Sequence, residues 1–332
     1  MRKKFLLILL NLCLLLLLLC GCGFSAPIGK VPEKTEKNSA IQRLYIKGGK
    51  ITGEDGKTVQ LTGMSSHGLL WYPQYANAGA MQTLKEYGAN TFRIAAYSDD
   101  EGGGYVQRKE ETMKFVYMAI ENAISEDLYA IVDWHVLNDG NPLTNMDKAM
   151  EFFDEISGHY GDIPNLLYEI CNEPNSGAGW DDIYNYANQV IPVIRNHAPG
   201  AIIIVGTPDY SSSVERVFDH PLEFDNVMYS FHFYAGQHDE YYNDLFNKCE
   251  KENLPLFVSE WGINYAVNGK PAISQAEKFV TVLNRRNISW IGWSLCNKNE
   301  VFSAIKPDCW KFSGWEKDDL TEVGKVFFEN FQ

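Results

Sequence analysis

One pattern dominates the chain. Short apolar runs suited to strands alternate with stretches of helical periodicity. The runs fall near residues 59–65, 91–96, 129–134, 166–170, 201–205, 227–231, 256–259 and 290–295. Helical patterns cover, among others, 80–87, 111–126, 146–160, 181–197, 275–286 and 320–331. Strand–helix alternation of this kind builds a parallel sheet with crossover helices on its faces. Eight units of roughly 25–40 residues favour a closed barrel over an open doubly wound sheet. No Gly-x-Gly-x-x-Gly follows the first run, and Gly102-Gly103-Gly104 comes only after Tyr97, which argues against dinucleotide binding. The expected fold is α/β: a single (β/α)8 TIM barrel over residues 41–332. A short N-terminal β-hairpin, signalled by Gly48-Gly49 and Asp55-Gly56, should plug its floor.

Ahead of this domain lies a targeting signal. Arg2, Lys3 and Lys4 precede an apolar run from Phe5 to Cys20 that is shorter than the ~20 residues of a membrane span. Leu19-Cys20-Gly21-Cys22 resembles a bacterial lipobox. Residues 1–21 then read as a lipoprotein signal peptide and Cys22 as the lipid-bearing N-terminus of an exported, cell-surface protein, with plain secretion as the alternative. Residues 22–40, polar and with Pro27 and Pro32, read as a flexible tether. Removal of the leader leaves Cys171, Cys249, Cys296 and Cys309. They lack Cys-x-x-Cys spacing and are expected to be mainly buried thiols, with Cys296 and Cys309 the pair worth testing as a disulfide.

The net charge of −14 opposes nucleic acid and anionic lipid surfaces as partners and suits a neutral substrate. The 8 Trp and 18 Tyr can serve a core or a groove for flat, hydroxyl-rich ligands.

In a parallel barrel the carboxyl ends of the strands meet on one face, where the chemistry of such folds is built. Here polar and titratable residues recur at those ends. They are His67, Arg93, His135, Asn172 with Glu173, His232 with Tyr234, Glu260, and Trp293 with Lys298 beyond it. Pro174 stops the strand after Glu173, and Gly262 is expected to turn the chain after Glu260. Two reactions could use this set. Two glutamates can cleave a glycoside with retention, one as proton donor and the other as nucleophile. Alternatively His67, His135 and His232 could hold a metal, although no His-x-His or His-Glu-x-x-His clip is present. Neither a metal nor another cofactor is expected.

The strings His67-Gly-Leu-Leu-Trp-Tyr, Phe92-Arg-Ile-Ala, Trp134-His, Tyr168-Glu-Ile-Cys-Asn-Glu-Pro-Asn, Ser230-Phe-His-Phe-Tyr, Phe257-Val-Ser-Glu-Trp-Gly and Trp293-Ser-Leu-Cys-Asn-Lys-Asn-Glu together resemble bacterial endoglucanases of glycoside hydrolase family 5. The resemblance runs from about residue 41 to the C-terminus. It implies a retaining endo-β-1,4-glucanase acting on cellulose and related β-glucans; separately, the protein is expected to be a monomer. The resemblance also implies Glu173 as acid/base and Glu260 as nucleophile. Asn172 would hold the sugar 2-hydroxyl, and Arg93 and Tyr234 would orient Glu260. His135 and His232 would surround the cleavage point, and His67, Trp71, Trp293 and Lys298 would bind sugars on the non-reducing side. Tyr97, Trp180 and Tyr210 are further candidates for aromatic platforms in loops after strands. Tyr210 stands where these enzymes often carry Trp, and Pro73 where Gly is commoner. Rival readings are the same chemistry on β-mannan, xyloglucan or mixed-linkage glucan, and a non-catalytic sugar-binding lipoprotein.

Overall fold

The computed structural model describes residues 41–237 and 241–332, which fall in one unit, Ser39–Gln332. The expectations for the leader, for Cys22 and for the tether lie outside the described residues. Among the described residues no helix is long and apolar enough to cross a membrane.

The chain enters through a hairpin of β1 (Leu44–Lys47) and β2 (Lys50–Gly53), paired antiparallel. Its two-residue turn is Gly48-Gly49, both at positive φ, the conformation a type I′ turn demands and glycine adopts without strain. Eight parallel strands then close a barrel: β3 (Thr62–Ser66), β4 (Thr91–Tyr97), β5 (Tyr129–His135), β6 (Leu166–Glu169), β7 (Ile203–Val205), β8 (Val227–Ala235), β9 (Leu256–Ile263) and β10 (Trp290–Leu295). Closure is made by β10 on β3.

Six of the helices around the barrel are α1 (Ala78–Glu86), α2 (Tyr105–Ser125), α3 (Met146–Tyr160), α4 (Trp180–Arg195), α5 (Tyr241–Glu252) and α6 (Ile273–Arg285); α7 (Glu322–Phe328) ends the ring. Their apolar faces pack on the outward side chains of the strands in one large core. Helix α5 has no counterpart among the expected patterns; its buried stripe of Tyr242, Leu245, Phe246 and Cys249 is short and set among charges. Between β7 and β8 the crossover shrinks to a tight turn, Pro208–Ser211, whose Asp209, Tyr210 and Ser211 have positive φ, and a 3₁₀ turn, Val214–Arg216.

Strand residues alternate between the helix layer and the barrel interior. The inward set is sorted by height. At the floor Ile131, Leu167, Ile204, Met228, Phe257 and Ile291 pack with Leu44 and Ile51 of the hairpin, so the hairpin does seal the barrel. Higher up the inward residues turn polar, and above those lies an aromatic cluster around Ala95, Tyr97 and Trp293. All four cysteines of the domain are free and buried. Cys296 Sγ contacts the Ser294 and Ser303 hydroxyls, whereas Cys309 Sγ faces Asp319.

Candidate active site

The carboxyl ends of the strands open into a cleft of about 680 Å³. Nine of the residues named from the sequence line it: His67, Trp71, Tyr97, His135, Glu173, Tyr234, Glu260, Trp293 and Lys298. Three more, Arg93, Asn172 and His232, are buried at 0, 1 and 3% exposure and support the lining from beneath.

The glutamates come from different local structures. Glu173 follows β6 on a segment stapled to the neighbouring strand's end, where its N–H donates to Val136 O at 3.1 Å. Glu260 lies inside β9, which runs on to Ile263, so the turn expected at Gly262 is absent. Gly262 serves a different purpose. A Cβ there would stand 2.3 Å from Cε1 of Tyr234, its register partner on β8. The glycine lets that ring lie flat across the strand and aim its hydroxyl at Glu260.

Both oxygens of Glu260 have donors. Tyr234 Oη donates to Oε1 at 2.7 Å and Arg93 Nη1 to Oε2 at 3.0 Å. Arg93 in turn is held by Glu169 (Nε to Oε2, 2.7 Å), by Asp133 (Nη2 to Oδ2, 3.0 Å) and by the Asn172 side-chain oxygen (Nη2 to Oδ1, 2.6 Å). Burial works against the guanidinium charge, but Asp133, Glu169 and Glu260 outweigh it and raise the Arg93 pKa. Burial likewise pushes Asp133 well above the usual carboxylate range, against the pull of Arg93. For Glu169, Arg93 and His232 overcome burial and bring it down to about 2.

The arginine also fixes the orientation of its neighbours. Because Arg93 occupies Asn172 Oδ1, the Asn172 amide nitrogen must donate, and it does so to Val136 O (3.2 Å) and His135 Nε2 (3.3 Å). His135 therefore carries its proton on Nδ1, which lies 2.6 Å from Asp133 Oδ2. Burial and Arg93 press His135 down to about 4, so it is neutral near pH 7.

His232 behaves in the opposite way. Burial opposes its charge, but hydrogen bonding to Glu169 and Glu173 lifts it to about 9. As an imidazolium it donates from Nδ1 to Glu173 Oε1 (2.9 Å) and from Nε2 to Ser259 Oγ (3.0 Å). Ser259 Oγ in turn donates a hydrogen bond to Glu169 Oε1 at 2.7 Å. Glu169 is thus tied to Glu260 through Arg93 and to Glu173 through Ser259 and His232.

One oxygen of each glutamate and a ring nitrogen of His232 lie within 4.8 Å of one another, the one such His/Cys/Asp/Glu cluster among the described residues. In this structure both His232 nitrogens are already hydrogen-bonded, Nδ1 to Glu173 Oε1 and Nε2 to Ser259 Oγ. The alternative histidine trio is not gathered: His67 and His135 both pack on Trp293, at 5.5 and 5.4 Å between ring centroids, while His232 belongs to the Ser259–Glu173 side.

Two expected platforms stand apart from the cleft. Trp180 is the first residue of α4, 8% exposed, with its indole N–H spent on His220 O and its ring against Tyr229. An amphipathic helix that begins on its apolar face buries that residue, so Trp180 is a core side chain. Tyr210 is 54% exposed on the shortened β7–β8 crossover, with its N–H on Pro174 O; it does not line the cleft. Asp133, Glu169 and Ser259 were given no role from sequence. The signal was present, since Asp133 precedes His135 by two and so shares its face, a charge inside an apolar strand.

A closed parallel barrel with two carboxylates facing each other above a buried arginine has the acid and nucleophile that glycoside hydrolysis needs. The chain belongs to the cellulase family, glycosyl hydrolase family 5, whose model matches residues 52–299. It is 40% identical over 285 residues to an endoglucanase of Clostridium saccharobutylicum, covering 85% of this chain and 63% of that protein. It is also 40% identical over 286 residues to endoglucanase A of Butyrivibrio fibrisolvens, at 84 and 66% coverage. The chain thus spans less than two thirds of the length of these relatives. The catalytic domain of Thermobifida fusca endoglucanase Cel5A superposes with a TM-score of 0.80 at 31% identity, over 86% of this chain and 96% of that domain.

Proposed function

We propose that this protein is a retaining endo-β-1,4-glucanase that cleaves internal bonds of β-glucan chains by double displacement. The observation that carries the proposal is the separation of the two carboxylates. One oxygen of Glu173 and one of Glu260 lie within 4.8 Å of each other, a short separation for two carboxylates that act directly on one bond. Retaining enzymes hold their carboxyls about 5–5.5 Å apart, whereas inverting ones need about 6.5–9.5 Å.

In the first step Glu173 gives its proton to the leaving glycosidic oxygen. A Glu260 oxygen bonds to the anomeric carbon as the old C–O bond breaks. The carboxylate left on Glu173 accepts a hydrogen bond from His232 Nδ1, 2.9 Å away. In the second step that carboxylate takes a proton from water, whose oxygen displaces Glu260 from the sugar. Tyr234 and Arg93 hold Glu260 in line throughout, so little reorganisation remains at the moment of reaction. The aromatic wall of Trp71, Tyr97 and Trp293 suits pyranose rings, whose axial C–H groups pack on π-faces.

The substrate reading is supported by relatives that are themselves endoglucanases, and by a Thermobifida fusca Cel5A structure that holds cellotetraose. Glu260→Ala should lose nearly all turnover, and azide should restore part of it as an inverted glycosyl azide. Near-normal turnover in that variant would remove Glu260 as nucleophile. Viscometry decides the polymer: rapid thinning of galactomannan with none of carboxymethylcellulose would move the substrate to mannan. The sequence from Met1 to Cys22 further supports export with a lipid on Cys22; incorporation of labelled palmitate should vanish in Cys22→Ala.

A further inference from the structure

Trp310 is 79% exposed, on the long segment between β10 and α7. A tryptophan left this open forgoes most of the burial its side chain can gain. A floppy loop would not need explaining, but this backbone is held on both sides of the residue. Asn297 Nδ2 donates to the Cys309 carbonyl at 3.1 Å, just before Trp310. The Trp315 indole N–H donates to the Lys311 carbonyl at 2.9 Å, just after it. Phe312, 43% exposed, is pinned likewise, with its carbonyl accepting from Asn77 Nδ2 at 2.8 Å. Two aromatic side chains are thus displayed to solvent from a backbone already held in place, so little backbone ordering is left to do when a ligand arrives.

This patch adjoins the cleft. Asn297, which holds the carbonyl before Trp310, precedes Lys298 of the cleft wall. Ring contacts also link the cleft wall to Phe312 through the buried Tyr75: His67 to Tyr72 (4.9 Å), Tyr72 to Tyr75 (6.4 Å) and Tyr75 to Phe312 (5.6 Å). We propose that Trp310, with Phe312 beside it, is a sugar-ring platform outside the catalytic cleft. It would engage a β-linked glucan chain that extends past the His67–Lys298 end. This rests on the glucanase reading for the identity of the polymer. Its effect is confined to long chains, because a ligand short enough to fit the cleft never reaches Trp310.

The test compares wild type with Trp310→Ala, Trp310→Tyr and Phe312→Ala. Retardation in native gels containing hydroxyethylcellulose and retention on insoluble cellulose are measured beside the hydrolysis rate of a chromogenic cellobioside. Trp310→Ala should weaken polymer binding about 3- to 10-fold, the scale of one aromatic contact. Trp310→Tyr should recover most of that binding, and cellobioside hydrolysis should stay at the wild-type rate in all three. Unchanged polymer binding in Trp310→Ala, with cellobioside still cleaved, overturns the platform and leaves the glucanase reading intact. Absence of cleavage of any β-1,4-glucan by wild type would instead overturn that reading. The platform is likewise overturned if Trp310→Ala changes only self-association, followed by light scattering, or only sedimentation with phosphatidylglycerol vesicles.

Discussion

Tyr234 reaches Glu260 with a single hydroxyl, and that contact isolates one contribution to the site. Removing the oxygen in Tyr234→Phe leaves the ring in place but frees Oε1 of Glu260 from its 2.7 Å donor. A hydrogen bond to a charged group contributes about 1.5–3 kcal/mol, so kcat should fall about 10- to 100-fold with KM and Tm close to wild type. A variant that loses KM and keeps kcat would make Tyr234 a binding residue instead. Arg93 is the opposite case, since it cannot be changed without consequence for folding. It is fully buried among Asp133, Glu169 and Glu260, and deleting it would leave buried carboxyl groups without their cation, at about 3–5 kcal/mol. Glu173 and Glu260 were legible in the sequence because each interrupts an apolar run. Asp133 and Glu169 sit in equally apolar runs, but nothing in the order of residues says which buried cation they face. That depends on β4 lying beside β5 and on β6 following it, pairings made only in the folded barrel.

At the scale of elements, β8 and β9 act as one device. Their register pairs Tyr234 with Gly262 and His232 with Glu260. The missing Cβ at Gly262 is therefore part of how Glu260 is aimed. Gly262→Ala should push the Tyr234 ring aside and lower kcat by about tenfold, and this loss should be smaller when introduced into Tyr234→Phe. Equal losses in both backgrounds would show that the glycine acts on something other than the hydroxyl. Element positions were readable from local pattern: β10 is Trp290–Leu295, where the apolar run lies, and α1 ends before Gly88 at positive φ. The errors have local causes. β9 continues past Glu260 because Trp261 and Ile263 still pack outward into the core, so a glycine between them is no turn. From sequence Trp180 reads as a loop aromatic, because a helix start and a loop end look alike until the apolar face is turned inward.

For the whole molecule, the histidines set opposing limbs of the stability curve. His232 titrates at about 9 when folded against 6.5 ordinarily, so its contribution is complete below about pH 6.5 and is lost as pH rises toward 9. His135 and His67 are depressed to about 4 and about 3, the first by burial and Arg93, the second by burial and Lys298. Below pH 6.5 the unfolded chain takes up protons that the folded chain refuses, so stability falls with pH on the acid side. Urea midpoints measured from pH 4 to 10 should therefore peak near neutrality. His232→Gln should flatten the alkaline limb and spare the acid one; an alkaline limb that survives that substitution would assign it to other groups.

The order of residues alone determined that strands and helices alternate, that the strands are parallel, and that two glutamates stand at one end of the fold. Those features depend on periodicity and on polar interruptions within about ten residues, which a linear reading can see. Only the tertiary structure decided how far apart the glutamates lie, which donors hold each oxygen, and which histidine is charged. Each of these depends on side chains from several different strands converging inside one barrel. A carboxylate's ionisation depends on which cations and how much water surround it, and those neighbours come from chain segments up to 167 positions away.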